Sequence, residues 1–195
     1  MGPRKIHADP ICHKFSASCN LQTFLLITCS SRCYDDLLFA TILSCLFYAC
    51  HRSGKLVQKN SKDLFDWQKI IKHSSLKFSQ GRAQYHPPYH KGDPFYCGTD
   101  ILFLQQEVAD TITLLQEYVD ECDSIHNVCL ALFLQEDGSH PTRSWFDALF
   151  FAVLNWEFGG HSPHAGGATF YASLSLSEDV IQALVWGPLK HGKST

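Results

Sequence analysis

The chain has 195 residues, of which 45% are apolar, so it is long enough to bury a substantial hydrophobic core. This length favours one domain with an extension. Its nine cysteines show neither the paired C-x-x-C spacing of a zinc ribbon nor a compact disulfide framework, which favours a reducing compartment, nuclear or cytoplasmic. The apolar runs at residues 24–28 and 37–50 are too short for an ordinary membrane span, so a membrane protein is not expected.

The net charge of -3 conceals an uneven distribution along the chain. Residues 52–92 contain nine Lys or Arg against two Asp or Glu, whereas residues 93–160 contain one Arg against twelve acidic residues. This asymmetry predicts a basic face on an acidic protein. A mixed, solvated surface is the alternative interpretation.

The first predicted elements lie in the middle of the chain, because residues 1–34 show no steady period and stay unassigned. From Asp35, apolar residues at helical spacing predict a buried helix, and Arg52 is predicted to lie at its C-terminal end. Three short segments separated by turn signals then predict a small antiparallel sheet, with Lys91 at its second turn. These segments are residues 76–78, 83–85 and 100–103.

Two further helical stripes follow the predicted sheet, at residues 108–122 and 145–153. Aromatic residues in the second stripe could stack on bases, although aromatics at helical spacing are more often core. A capping-box pattern at Ser175 predicts a last helix that runs to residue 184.

Two segments carry a resemblance to a known family. Residues 48–57 read YACHRSGKLV and residues 160–169 read GHSPHAGGAT. In this order they resemble the first-arginine junction and the active-site signature of the tyrosine recombinases, also called the phage-integrase family. Residues 65–67, 90–94 and 137–146 also look like segments of fungal transposon-type recombinases. The resemblance covers residues 35–184.

The resemblance implies a fold class and a set of domain boundaries. The fold is mainly α with a small three-stranded antiparallel sheet, as in a tyrosine-recombinase catalytic domain, and is incomplete at its C-terminus. An unassigned extension at residues 1–34 precedes this domain. A divergent tail at residues 185–195 follows it.

The resemblance also implies roles for individual residues. In this family two arginines bind the scissile phosphate, a turn lysine protonates the leaving oxygen, a histidine assists proton transfer, and a tyrosine attacks. Arg52 matches the first arginine, Lys91 the lysine and His161 the histidine. His164 stands at the second arginine, where a mostly neutral ring without a planar fork is expected to cost on the order of 10²–10³ in rate. No tyrosine follows Tyr171, which is expected to be a packing residue.

DNA recombination and integration is the implied ancestral function, without a cofactor and without autonomous strand cleavage. DNA is the implied partner, together with a second copy of the chain or an intact recombinase. One alternative is a DNA-binding remnant or regulatory partner that has no enzymatic role. The other is a small metal- or protein-interaction domain in which His161 and His164 act with His86, His90 or a cysteine. The predicted contacts to the phosphate backbone are Arg52, Lys55, Lys69, Lys72, Lys77 and Lys91.

Overall fold

The computed structural model describes residues 33–88, 98–154 and 162–176. Within these ranges the chain forms four α-helices and one three-stranded antiparallel sheet, which confirms the predicted mainly α class. Short 3₁₀ turns fill the connection between the first helix and the sheet. The elements are α1 Tyr34–Tyr48, β1 Lys77–Ser79, β2 Arg82–Tyr85, β3 Ile101–Leu104, α2 Thr111–His126, α3 Arg143–Leu154 and α4 Ser162–Ser173.

Helix α1 is the centre of the fold. Its side chains are apolar on nearly every face, and Leu38, Ile42 and Leu46 are all 0% exposed. A helix that is hydrophobic all round has to be enclosed by other elements. Helix α2 packs along α1 and helix α4 packs near its C-terminal end, which confirms the predicted core helix and leaves Arg52 just beyond it.

Buried hydroxyl groups fix the position of α1 against α2. Ser44 Oγ lies 2.6 Å from Thr111 Oγ1, at the first residue of α2. Near the end of α1, the Tyr48 hydroxyl donates to the carbonyl oxygen of Val108 at 2.6 Å. Because a buried polar group without a partner is costly, these bonds select one register between the two helices.

The sheet follows the sequence order β1-β2-β3. Gly81 has a φ of +66° in the turn between β1 and β2, a backbone conformation that favours glycine. Ala83 and Tyr85 on β2 and Phe103 on β3 point into the core, whereas Lys77 on β1 is exposed. The three predicted strand segments are confirmed to within one or two residues.

The later helices bear out both predicted stripes. Helix α2 begins after Asp110, whose carboxylate accepts a hydrogen bond from the Thr113 backbone N–H at 3.2 Å. On α3, Phe146 and Phe150 are 0% exposed and stack on one another with ring centroids 5.8 Å apart. They are core residues, so they are closed to a DNA base.

Several predictions fall outside the described residues. These are the extension up to residue 32, the predicted helix beyond residue 176 and the tail at residues 185–195. Within the described ranges, no helix combines the length and the apolar character that a membrane crossing needs.

Candidate functional site

The two motifs that carry the resemblance meet at the C-terminal end of α1. His164, in the first turn of α4, places its Nδ1 2.5 Å from the carbonyl oxygen of Cys50, a residue 114 positions earlier in the chain. A carbonyl oxygen only accepts hydrogen bonds, so Nδ1 carries the proton and donates it. His164 therefore lies beside the segment that carries Arg52.

Two features of α4 fit it closely onto the end of α1. At Gly167, an added Cβ atom would lie 2.0 Å from the carbonyl oxygen of Phe47 and 3.0 Å from the sulfur of Cys50. Only a hydrogen atom fits there. One turn later, the Tyr171 hydroxyl donates to the carbonyl oxygen of Tyr48 at 2.7 Å. Helix α4 thus satisfies carbonyl groups that the end of a helix leaves without intrahelical partners.

Tyr171 itself is poorly suited to attack a phosphate. Burial raises the pKa of its hydroxyl, and nearby Cys50 and Tyr48 act in the same direction. The hydroxyl proton is also engaged by the Tyr48 carbonyl. Both observations agree with the prediction that Tyr171 is a packing residue.

The chain emerging from α1 forms a short cationic turn. Arg52 is exposed and precedes the 3₁₀ turn Ser53–Lys55, in which Lys55 is half-buried. Burial lowers the pKa of Lys55, because the charged ammonium is partly removed from water. A cation with less hydration interacts more strongly with an incoming anion.

His51 is a neutral ring enclosed by this cationic turn. Burial lowers its pKa to about 3, and the charges of Lys55 and His164 act in the same direction. Its Nε2 and the Oγ of Ser53 are buried and have no hydrogen-bond partner in the described part of the chain. Sequence reasoning did not single out His51. The signal that could have found it is a histidine placed between a mainly apolar helix and two basic residues.

The predicted catalytic residues are therefore accounted for in part. Arg52 and His164 lie at the same end of α1, on the segments that the Cys50 carbonyl joins. Lys91 and His161 fall in the gaps at residues 89–97 and 155–161, outside the described residues. Their roles stay predictions.

The predicted DNA-contacting lysines divide into two groups. Lys55 and Lys69 line the same cleft, together with Gln58 and His140. Lys72 and Lys77 are exposed, one before a 3₁₀ turn and the other at the start of β1. Lys55 and Lys69 therefore meet in one cleft, which their spacing along the chain could not reveal.

The alternative metal site gains no support from the described histidines. His164 is bonded to a backbone carbonyl, and His86 pairs through Nδ1 with Asp100 at 2.7 Å. Residues 33–88, 98–154 and 162–176 contain no group of three His, Cys, Asp or Glu side chains that could hold a metal ion.

Comparison with known proteins identifies the fold. Neither the models of known protein families nor the curated protein sequences gave a match. Among solved structures, the chain is similar to the XerH site-specific recombinase bound to its difH substrate in a pre-cleavage complex. The two share 16% sequence identity and a TM-score of 0.62 over 87% of this chain. The fold is that of a tyrosine-recombinase catalytic domain.

The chain spans 45% of the length of the XerH chain that it matches. At this level of identity the likeness extends to the recombinase fold alone. The resemblance of shorter segments to fungal transposon sequences stays a prediction.

Proposed function

We propose that this chain is a DNA-binding domain of site-specific recombinase descent, which holds the phosphate backbone and does not cleave DNA on its own. The observation that supports the proposal is the meeting of two distant motifs on a recombinase fold. The Arg52 segment and the His164 helix are joined through the Cys50 carbonyl, and the resemblance to tyrosine recombinases implies that these two segments bind the phosphate.

Phosphate binding follows from the charges at this junction. Arg52 presents an exposed guanidinium, and the half-buried Lys55 lies three residues further on. Contacts of this kind release counterions from DNA, so the affinity is independent of base sequence and falls steeply with salt. The acidic residues concentrated in residues 93–160 restrict the contact to the basic side of the protein.

Strand cleavage requires a nucleophile, an acid for the leaving oxygen, and cations on the two non-bridging oxygens. His164 fits the cation role poorly. Its Nδ1 proton is bonded to the Cys50 carbonyl, so at most Nε2 is left to contact an anion, where an arginine presents a planar fork of donors. Tyr171 fits the nucleophile role poorly, since its hydroxyl is bonded to the Tyr48 carbonyl.

A nicked duplex that traps phosphotyrosyl intermediates tests the absence of cleavage. We expect no DNA-linked band on a denaturing gel from the 195-residue chain. His164→Arg restores a planar donor fork but supplies no nucleophile, so we expect it to form no adduct either. The matched variant is Tyr171→Phe. A covalent band from the unmodified chain that Tyr171→Phe abolishes would show that this protein is a working recombinase.

DNA binding is tested separately by fluorescence anisotropy on a fully paired duplex. We expect log Kd to depend linearly on log salt concentration, with a slope of about 0.9 for each phosphate contacted. An affinity that is constant between low and moderate salt would exclude backbone contacts as its source and contradict the proposal.

A further inference from the structure

Two segments without a role in the recombinase site form an aromatic cluster on the surface. Phe65 and Trp67 precede the sheet, His140 precedes α3, and the three rings lie together. The ring centroids of Phe65 and Trp67 are 4.7 Å apart, and His140 lies 5.0 Å from Phe65 and 5.9 Å from Trp67. Burial lowers the pKa of His140, which keeps this ring neutral and aromatic at pH 7.

Trp67 is the exposed member of this cluster. It is 71% exposed, so most of its indole surface faces water, whereas Phe146 and Phe150 of α3 are fully buried. Packing of the loop accounts for the contacts that Phe65 and His140 make with one another. It does not bury the Trp67 indole, whose face is open to a flat ligand, and stacking such a ligand on it would remove apolar surface from water.

The local backbone holds Trp67 in place. It begins the 3₁₀ turn Trp67–Lys69, and the Asp66 carboxylate accepts a hydrogen bond from the Gln68 backbone N–H at 3.0 Å. The same carboxylate pairs with Lys69 Nζ at 2.8 Å. A ring fixed in this way binds a flat ligand with little loss of conformational entropy.

A cationic cleft adjoins the aromatic cluster. His140 belongs to both, and the cleft is also lined by Lys69, two residues after Trp67, and by Lys55, Gln58 and Pro141. It is narrow, with about 20 Å³ of room for the centres of water-sized molecules, far less than the ~300–1,000 Å³ of pockets that take a whole small molecule. A phosphate would therefore lie at the mouth of the cleft, where the flexible lysine side chains can reach it.

The arrangement selects among possible ligands. An anion beside a flat π-surface matches a nucleotide, whose base stacks on aromatic rings while its phosphate takes the lysines. Asp66 offsets part of this positive charge, and Lys69 and the nearby Lys59 both lower the pKa of its carboxyl. Within a duplex, base faces are covered by their neighbours. The indole therefore has access only to a base that is unpaired and unstacked.

We propose that Trp67 stacks on an unpaired nucleobase of DNA while the cleft between Lys55 and Lys69 takes the adjoining phosphate. The inference rests on the proposed DNA-binding function and extends it from the backbone to gaps, flaps and strand ends. Because every base has a π-face, the site is tolerant of sequence.

Three duplexes with identical ends test this inference. One is fully paired, one carries a three-thymine single-stranded gap, and one carries the same gap with abasic residues that keep the phosphates. We expect the chain to bind the thymine gap about tenfold more tightly than the other two, a ratio equivalent to about 1.4 kcal/mol and within the range for one stacked base. Anisotropy at a single fixed salt concentration provides the three affinities.

Variants then identify the residue responsible. Trp67→Ala removes the preference for the thymine gap and leaves affinity for the paired duplex unchanged, and Trp67→Phe keeps part of the preference. The matched control is Leu130→Ala, which trims an 81% exposed apolar side chain that is not part of the cluster. Because Trp67 is exposed, its truncation leaves the core intact, and circular dichroism verifies this.

Each result has one meaning. Equal affinity for the thymine and abasic gaps, or a preference that survives Trp67→Ala, overturns the stacking site. Equal affinity for all three duplexes overturns the stacking site and leaves the proposed function standing. If the chain binds none of the three duplexes, both the stacking site and the proposed DNA-binding function are wrong.

Discussion

Replacing Gly167 with alanine perturbs the contact that joins the two motifs. The new Cβ atom would lie 2.0 Å from the Phe47 carbonyl oxygen, and separations below 3.0 Å do not occur for real Cβ atoms. Helix α4 must then move by about 1 Å or more, because the opposing atom belongs to the backbone of α1 and cannot rotate away. His164 moves with its helix and its bond to the Cys50 carbonyl is weakened.

The magnitude follows from two opposing effects. Overpacking a close contact costs ~1–3 kcal/mol and occasionally more, and a clash with backbone belongs at the upper end. Alanine in place of glycine in a helix returns ~1 kcal/mol of propensity. The net loss is about 2 kcal/mol, which lowers the Tm of a domain of this size by roughly 4–8 °C.

Thermal unfolding followed by circular dichroism measures this loss. The matched control is Gly54→Ala, because a Cβ atom at Gly54 has no atom within 4 Å. We expect that variant to change the Tm by less than about 2 °C. Two results would contradict this prediction: Gly167→Ala having the same Tm as the unmodified chain, or Gly54→Ala lowering the Tm as much as Gly167→Ala does. In either case α4 does not depend on close approach to α1.

Two further predictions concern the cationic turn. Arg52→Ala should weaken DNA binding and reduce the slope of log Kd against log salt concentration by about one phosphate contact. Arg143→Ala should leave this slope unchanged, because the Arg143 guanidinium pairs with Asp147 at 2.7 Å. Equal slopes for Arg52→Ala and the unmodified chain would mean that Arg52 does not contact DNA. The pKa of His51 is about 3 in the folded protein, below its ordinary value of about 6.5. As the pH falls between these two values, the His51 ring takes up a proton in the unfolded chain but not in the folded one. The free energy of unfolding therefore falls as pH drops from about 6.5 toward 3. Urea denaturation at several pH values measures this dependence. In His51→Gln the free energy of unfolding should depend less steeply on pH, by up to ~1.4 kcal/mol per pH unit. The same pH dependence in His51→Gln and in the unmodified chain would mean that the His51 ring is not buried and neutral.

The sequence allowed the elements to be predicted well because their periods are strong. The apolar run of α1, the Gln80-Gly81 turn and the stripe of α2 each have a local physical cause, and the structure has each in place. The aromatic spacing of α3 was likewise sufficient to separate core from surface.

Contacts between segments that lie far apart in the chain could not be predicted, because they leave no local pattern in the sequence. The hydrogen bond from His164 to the Cys50 carbonyl and the approach of Gly167 to Phe47 depend on how two helices pack. Neither leaves a periodic signal. The meeting of Trp67 with His140 is of the same kind, since the order of motifs along a chain does not state which of them touch.

The enclosure of α1 has a consequence for how this protein is made. Ribosomes add about 5–20 residues per second, and the His164 contact that covers the end of α1 comes 114 residues after Cys50. A helix with so few polar side chains therefore waits roughly 6–23 s before α4, the last of its described neighbours, is synthesised. During that interval its apolar surface carries the aggregation hazard that is general for transiently exposed hydrophobic segments.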